Sequence, residues 1–535
     1  MKMSHFRRAL AVLTLGVIAA VPTFSNLTFN TSSSFASDVK LKVLGSYAGG
    51  SFNQGGAEIV THDPASQRLF VVNGATSRID VLSIVNPSAP TFIFSIDLSP
   101  YGRQANSVAV KNGIVAVAVE AVIKTDNGKV ALFTTNGAPI SSVTVGALPD
   151  MLTFTPDGNH ILVANEGEPN NDYTIDPKGT VSIINVAGSL RGRGVMDVDF
   201  TEFNNAVLED GIRIFGPNAR VDQDLEPEYI TISADSTTAW VTLQENNAIG
   251  VLDIPSGRFT RLIGLGFADH SRQGQGLDTS DRDSAINIAN WPVLGMYQPD
   301  GIASFSVAGE TFLITANEGD AREYTGTPGF VEEARVSSLN LDPSVFVNGA
   351  FLKQNANLGR LNVSKAMGNT DGDGDYDALY SFGARSFSIL TSSGVRIYDS
   401  GDDIEQLTAA TYPLNFNASN SNNTFDDRSD NKGPEPEGVT TGEAYGRIFA
   451  FIVLERIGGV LVYDVSDPFA PQFVQYINNR NFLAAANTAA AGDLGPEGVH
   501  FIKEGDSPTG KPLLVVANEV SATTTVYELG PASGR

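Results

Sequence analysis

The chain has 535 residues, with 60 Asp and Glu against 35 Lys and Arg, no cysteine, 53 glycines, 26 prolines and 42% hydrophobic residues. This composition can bury a large core, and it excludes disorder, collagen and disulfide scaffolds. The formal charge of −25 argues against nucleic acid and anionic membranes, because each phosphate contact asks for a Lys or Arg, and it makes divalent cations the expected partners.

The chain opens with Arg7 and Arg8, then the apolar run Ala9 to Val21, then a polar stretch ending Ser34-Phe35-Ala36. That order reads as a cleaved export signal over residues 1–36, with residues 37–535 as a single domain. The apolar run is shorter than the roughly 20 residues a spanning helix needs, and nothing later reaches that length, so no transmembrane segment is expected in the mature chain. An exported chain without cysteine forgoes disulfides and relies on burial and bound metal.

From residue 57 onward one unit recurs: an apolar strand opened by a Pro or small residue and an acid, a turn, and a second apolar strand ending in Asn-Glu or similar. A loop and a third strand follow. Clear copies run from Pro149 to Val186, Pro227 to Ile254, Pro299 to Leu341, Pro436 to Val465 and Pro496 to Leu529. Weaker copies run from Ala57 to Ile84, Gln104 to Thr134 and Ala378 to Asp399. Within a copy the period is two, as in Tyr229 to Ser233 and Ala239 to Leu243 around the turn Ala234-Asp235-Ser236.

A fourth strand often follows, such as Thr91 to Leu98 or Gln472 to Ile477. The prediction is an all-β fold, a β-propeller of seven or eight four-stranded blades with long loop insertions, eight by repeat count. Seven results if the short sixth unit merges with a neighbour, and the competing architecture is two packed β-sandwiches. Lys40 to Tyr47 is placed to supply the outer strand of the last blade. The insertions are Glu168 to Lys178, Gly188 to Asp224, Ala268 to Tyr297, Asp320 to Glu333 and Asn415 to Gly433.

In a propeller the start of a first strand and the end of a second meet at one rim. First-strand starts carry Glu58, Asp150, Glu228, Asp300, Glu437 and Glu497; second-strand ends carry Glu120, Glu166, Glu245, Glu318, Glu455 and Glu519. Two carboxylates about 5 Å apart repel by roughly 3 kcal/mol at an effective dielectric of about 20, so such a ring must take up protons or bind cations. Oxygen-only ligands favour Ca²⁺, with Mn²⁺ and Mg²⁺ next. The five histidines form no ligand-spaced pair for zinc.

A second acidic feature is Asn369-Thr370-Asp371-Gly372-Asp373-Gly374-Asp375-Tyr376-Asp377. Asp371, Asp373, Asp375 and Asp377 alternate as ligands of a calcium loop would, although Tyr380 stands where an EF-hand needs its Glu. Arg322, Arg385 and Arg456 follow these acids closely. They suit either bidentate capture of a phosphate or sulfate group, or internal ion pairs. No Gly-x-Ser-x-Gly, P-loop or HExxH sequence occurs, which leaves metal-assisted hydrolysis as the available chemistry.

Several segments are long enough to be specific: Asp224-Leu225-Glu226-Pro227-Glu228-Tyr229-Ile230, Leu243-Gln244-Glu245-Asn246-Asn247-Ala248 and Pro299-Asp300-Gly301-Ile302-Ala303. Ala316-Asn317-Glu318-Gly319-Asp320-Ala321-Arg322, Tyr380 to Ile389 and Gly433-Pro434-Glu435-Pro436-Glu437-Gly438 are others. Together, across roughly Leu41 to Leu529, they resemble the choice-of-anchor I family. That family includes mesenchyme-specific cell-surface glycoproteins of biomineralising animals and bacterial proteins labelled atypical alkaline phosphatases. The resemblance implies an exported propeller that handles calcium or phosphate. Family members commonly end in an anchoring segment, whereas this chain stops soon after its last strand, at Arg535. A periplasmic or secreted product is therefore expected.

The resulting expectation is an exported, metal-dependent phosphoesterase. Cations sit on the rim carboxylates, and Arg322 and Arg385 orient a phosphorylated small molecule. The alternative is a non-enzymatic calcium-binding module of the cell envelope or matrix that recognises a surface ligand through its insertions.

Overall fold

The period-two segments form hairpins. Ile230 pairs with Val241 and Ile232 with Ala239, so alternate side chains fall on the two faces of a sheet. A computed structural model describes residues 39–187 and 194–532; the expected export signal lies outside the described residues.

Seven four-stranded antiparallel sheets follow one another. Blade 1 comprises Val60–Asp63, Arg68–Asn73, Arg78–Ser83 and Thr91–Asp97. Blade 2 comprises Ala105–Lys111, Ile114–Val119, Asn127–Thr134 and Pro139–Ala147. Blade 3 comprises Pro149–Phe154, His160–Asn165, Thr180–Asn185 and Val195–Asp199. Blade 4 comprises Ile230–Ile232, Thr238–Leu243, Ala248–Asp253 and Arg258–Gly264.

Blade 5 comprises Ile302–Val307, Glu310–Asn317, Ser386–Thr391 and Arg396–Asp399. Blade 6 comprises Pro436–Ala444, Arg447–Leu454, Val460–Asp464 and Gln472–Ile477. Blade 7 takes three strands from the C-terminal end, Pro496–Ile502, Leu513–Asn518 and Thr523–Pro531. Its outer strand is Val39–Ala48, with Leu41 opposite Leu529. Each first strand packs against those of the neighbouring blades, and blade 7 against blade 1, so the circle is complete. The protein is a seven-bladed β-propeller closed by its N-terminal strand.

The eight repeats make seven blades because two of them share a sheet. The copy beginning at Pro299 supplies the inner pair of blade 5, and the copy beginning at Ala378 supplies its outer pair, with Ala316 facing Phe387. Between them the chain leaves the ring. There Glu333–Arg335, Asn362–Ser364 and Tyr380–Ser381 join Phe267–Asp269 and Leu294–Met296 in a separate five-stranded sheet. This sheet has its own core of Leu277, Trp291, Val336, Leu361 and Val363. A strand-to-strand loop on the surface tolerates such an insertion because it breaks no ladder.

Apolar faces pack between blades. Val72, Ile79 and Val81 of blade 1 meet Val108, Val117 and Ala131 of blade 2, all less than 4% exposed. Burial of each Val or Ile among them is worth about 1.5–3 kcal/mol before entropy. Alternation of strand direction sends the second-to-third and fourth-to-next connections to the rim where first strands begin. The long insertions therefore gather on that face, and the opposite face carries mainly hairpin turns such as Lys111-Asn112-Gly113.

Candidate metal centre

The rim acids are aimed by the backbone. In blade 3, Pro149 pairs with Asn165 and Leu152 with Val163, leaving Asp150 and Met151 opposite one residue. The same bulge sets Glu437-Gly438 in blade 6 and Glu497-Gly498 in blade 7. A bulge turns a side chain out of the ladder. In blades 6 and 7 the glycine after the acid then lets adjacent inner strands meet. Gly498 donates its N–H to the Glu58 carbonyl at 3.0 Å, and a Cβ there would collide with that oxygen. At Gly438 a Cβ would strike the Glu497 carbonyl.

Ten of the predicted acids, Glu58, Glu166, Glu228, Glu245, Asp300, Glu318, Glu437, Glu455, Glu497 and Glu519, line one funnel of about 400 Å³. Asp150 lines an adjoining chamber of about 190 Å³ that shares Glu228, Asp300, Glu437 and Glu497. Blade 2 breaks the series, placing Asn106 in the chamber. Its second-strand acid, Glu120, is ion-paired to Arg103 at 2.6 Å.

Within this ring Asp150, Glu166 and Glu228 each offer an oxygen within 4.8 Å of the others, and so do Asp300, Glu318 and Glu437. Both triplets follow one formula: the first-strand acid of a blade, its second-strand acid, and the first-strand acid of the next blade.

Burial is the largest cause of the pKa shifts. It raises Asp150 to about 7 and Glu58 to about 8, with neighbouring carboxylates adding to it. By the same causes Glu166, Glu228, Glu437 and Glu497 are held well above the usual carboxylate range. At Glu318 burial prevails over Lys432 and leaves the acid at about 8. At Glu245 and Glu455 it prevails over Arg322 and Arg456, leaving both at about 7. Such a ring retains protons near neutral pH unless cations replace them.

The two halves of the ring differ in charge. Glu435, fully buried, accepts from Arg428 at 2.5 Å and Arg456 at 2.8 Å and pairs with Lys432 at 3.1 Å. Burial pushes Glu435 up, but these three cations overcome it and hold the carboxyl well below its ordinary value. Lys432 also pairs with Glu318 at 2.5 Å. The Glu318–Glu435–Glu455 cluster is thus compensated by the protein. Asp150, Glu166 and Glu228 have no such partner: among the described residues nothing donates to their side chains, and every neighbouring charge that shifts them is another acid.

All donors here are oxygens. Buried oxygens of Glu245 and Glu437 also lack any hydrogen-bond partner. This set fits a hard divalent cation. Lys432, Glu435, Asp320 and Asn106 were not singled out as site residues by sequence reasoning. Glu435 was legible only in the doubled Pro434-Glu435-Pro436-Glu437, and Lys432 carried no signal within a polar insertion.

Arg322 and Arg385, the residues expected to orient a ligand, are both buried against protein acceptors. The Arg322 side chain is 0% exposed and pairs with Asp224 at 2.5 Å and Glu226 at 3.0 Å, and it also donates to the Asp224 carbonyl. Arg385 donates to Glu405 at 2.6 Å and to the carbonyls of Asp278, Ser429 and Asn431. Both pin insertions to the ring, the internal ion-pair alternative for these residues.

The glycine-rich loop is divided. Asp375 and Asp377 converge with Asp342, a residue distant in sequence, each offering an oxygen within 4.8 Å of the others. Asp371 and Asp373 instead accept the N–H groups of Asp373 and Asp375 at 3.2 and 3.1 Å, so they shape the loop and do not join the cluster.

The choice-of-anchor I domain matches residues 58–468, from the rim acid of blade 1 into blade 6. The chain belongs to the choice-of-anchor I family. Gigasin-3a of Magallana gigas is 33% identical over 190 residues, covering 33% of this chain and 66% of that protein. The mesenchyme-specific cell surface glycoprotein of Strongylocentrotus purpuratus is 26% identical over 283 residues, covering 47% of this chain and 36% of its own. The chain thus spans less than two thirds of either curated relative.

Hydrazine synthase of Kuenenia stuttgartiensis superposes with a TM-score of 0.44 at 13% identity, covering 89% of this chain and 96% of that one. That likeness is too distant to carry chemistry. This choice-of-anchor I protein is of the surface or exported type. No helix among its described residues is long and apolar enough to cross a membrane.

Proposed function

We propose that this propeller binds divalent cations, calcium foremost, on its acid face, with Asp150, Glu166 and Glu228 as the primary site. The observation that carries the reading is that triplet, three converging carboxylates to which no protein cation is bound. Three carboxylates on rigid strand ends suit Ca²⁺, which accepts several oxygens in flexible geometry, better than Mg²⁺, which demands near-ideal octahedra. Asp342, Asp375 and Asp377 form a second, more peripheral calcium position. The setting is the cell surface, periplasm or medium, where calcium abounds and a chain without cysteine gains a metal-dependent clasp.

Elemental analysis of the purified protein and calorimetric titration with CaCl₂ after chelation test this. Binding that survives Glu228→Gln unchanged would move the site elsewhere.

Metal-assisted hydrolysis of phosphate esters is the second reading. It is favoured by the cationic groups of Lys432 and Arg456, which line the same funnel as the acids. A bound cation would polarise a phosphoryl oxygen and acidify a water. Protein loaded with Ca²⁺ or Mn²⁺ that fails to turn over a chromogenic phosphate ester between pH 7 and 10 removes this reading and leaves the first intact.

A further inference from the structure

The acid face contains several cationic side chains, and they differ in how many donors the fold has already used. Arg322 and Arg385 are sequestered. Arg428 spends its Nε and an Nη on Glu435. Lys432 is held between Glu318 and Glu435, with Asp320 at 3.9 Å. Arg456 is different. Its Nε alone is engaged, on Glu435 at 2.8 Å and Glu455 at 3.0 Å, and among the described residues its two Nη groups have no acceptor. Its side chain is 24% exposed and lines the funnel.

One edge of this guanidinium is fixed firmly. Glu435 is clamped by Arg428 and Lys432, and Glu455 accepts from Asn420 Nδ2 at 2.7 Å. The plane therefore has little freedom left to lose, and the Nη end keeps a pair of parallel N–H groups with no acceptor among the described residues, the arrangement that matches two oxygens of one anion. Preorganisation of this kind lowers the cost of binding.

An anion entering the funnel also meets the carboxylates. They repel it until cations neutralise them, so anion and cation must bind with positive coupling, and each must raise the affinity of the other by the same factor.

Building on the cation reading above, we infer that Arg456 is the anchor for a tetrahedral oxyanion, a phosphate or sulfate group, which the funnel accepts only when divalent cations occupy the acid ring. The test uses the full chain, calorimetric titration, and methylphosphonate as a non-hydrolysable probe soluble with calcium, with sulfate in a parallel arm. Methylphosphonate is expected to bind in saturating CaCl₂ and at least about tenfold more weakly in chelator. Calcium affinity should rise by the same factor when methylphosphonate is present.

Arg456→Lys keeps the charge beside Glu435 but loses the fork. It should weaken methylphosphonate about tenfold while leaving the calcium isotherm within about twofold of wild type. Arg456→Gln should weaken it further. The parallel arm decides whether the physiological group is phosphate or sulfate by which probe binds more tightly. Calcium binding with no anion binding, or wild-type anion affinity in Arg456→Lys and Arg456→Gln, overturns this inference alone. Absence of calcium binding overturns the cation reading and this inference together.

Discussion

Asp150→Asn separates repulsion from ligation. Burial, and then the charges of Asp300, Glu168 and Glu120, raise the Asp150 carboxyl from 3.8 to about 7. A folded-state pKa above the unfolded one stabilises the fold fully below about pH 4, and that stabilisation is lost as pH rises through about 7. Three units at about 1.4 kcal/mol each set a ceiling near 4 kcal/mol, and neighbours that take up the proton instead reduce it to about 2–4 kcal/mol.

Asparagine has the same shape and no charge, so in chelator at pH 9 the variant should melt above wild type. A chain of this size loses about 1 kcal/mol of stability per degree near its midpoint, which makes the expected rise about 2–4 °C. At pH 4 the two proteins should melt together. Calcium should reverse the order, because asparagine offers one neutral oxygen to the ion; its affinity should fall at least about tenfold, or about 1.4 kcal/mol. Scanning calorimetry across pH 4 to 9, with chelator and with calcium, reads both effects. A variant that melts below wild type in chelator at pH 9, or that retains the full calcium response, refutes the reasoning.

Arg322→Met leaves Asp224 and Glu226 buried without their cation and should cost about 3–5 kcal/mol in urea unfolding; an unchanged midpoint would mean that the pair is not holding the insertion to the ring. Leu41, 3% exposed in the closing strand, should cost about 2–5 kcal/mol as Leu41→Ala, and a loss under about 0.5 kcal/mol would show that closure by Val39–Ala48 contributes little. Gly498→Ala pushes a Cβ against the Glu58 carbonyl and should cost about 1–3 kcal/mol while weakening calcium. Gly505→Ala, where a Cβ meets nothing, is its control.

Strand alternation and the recurring Pro-acid-Gly were legible in the sequence because they are local. A period of two puts alternate residues on one face whatever the neighbours, and the glycines after Asp300, Glu437 and Glu497 record how closely the next strand must approach. These features determined a propeller with its acids on one rim. Tertiary structure decided the rest. Blade 5 is assembled from Glu310–Asn317 and Ser386–Thr391 across an insertion, so repeats in the sequence outnumber the blades. Arg322 is consumed by Asp224, 98 positions away, and Asp342 joins Asp375 and Asp377 in place of the nearer Asp371 and Asp373. Whether a charged side chain is spent or free depends on which distant segment arrives to desolvate it. That pairing is set by the packing of whole sheets and leaves no trace in residue spacing.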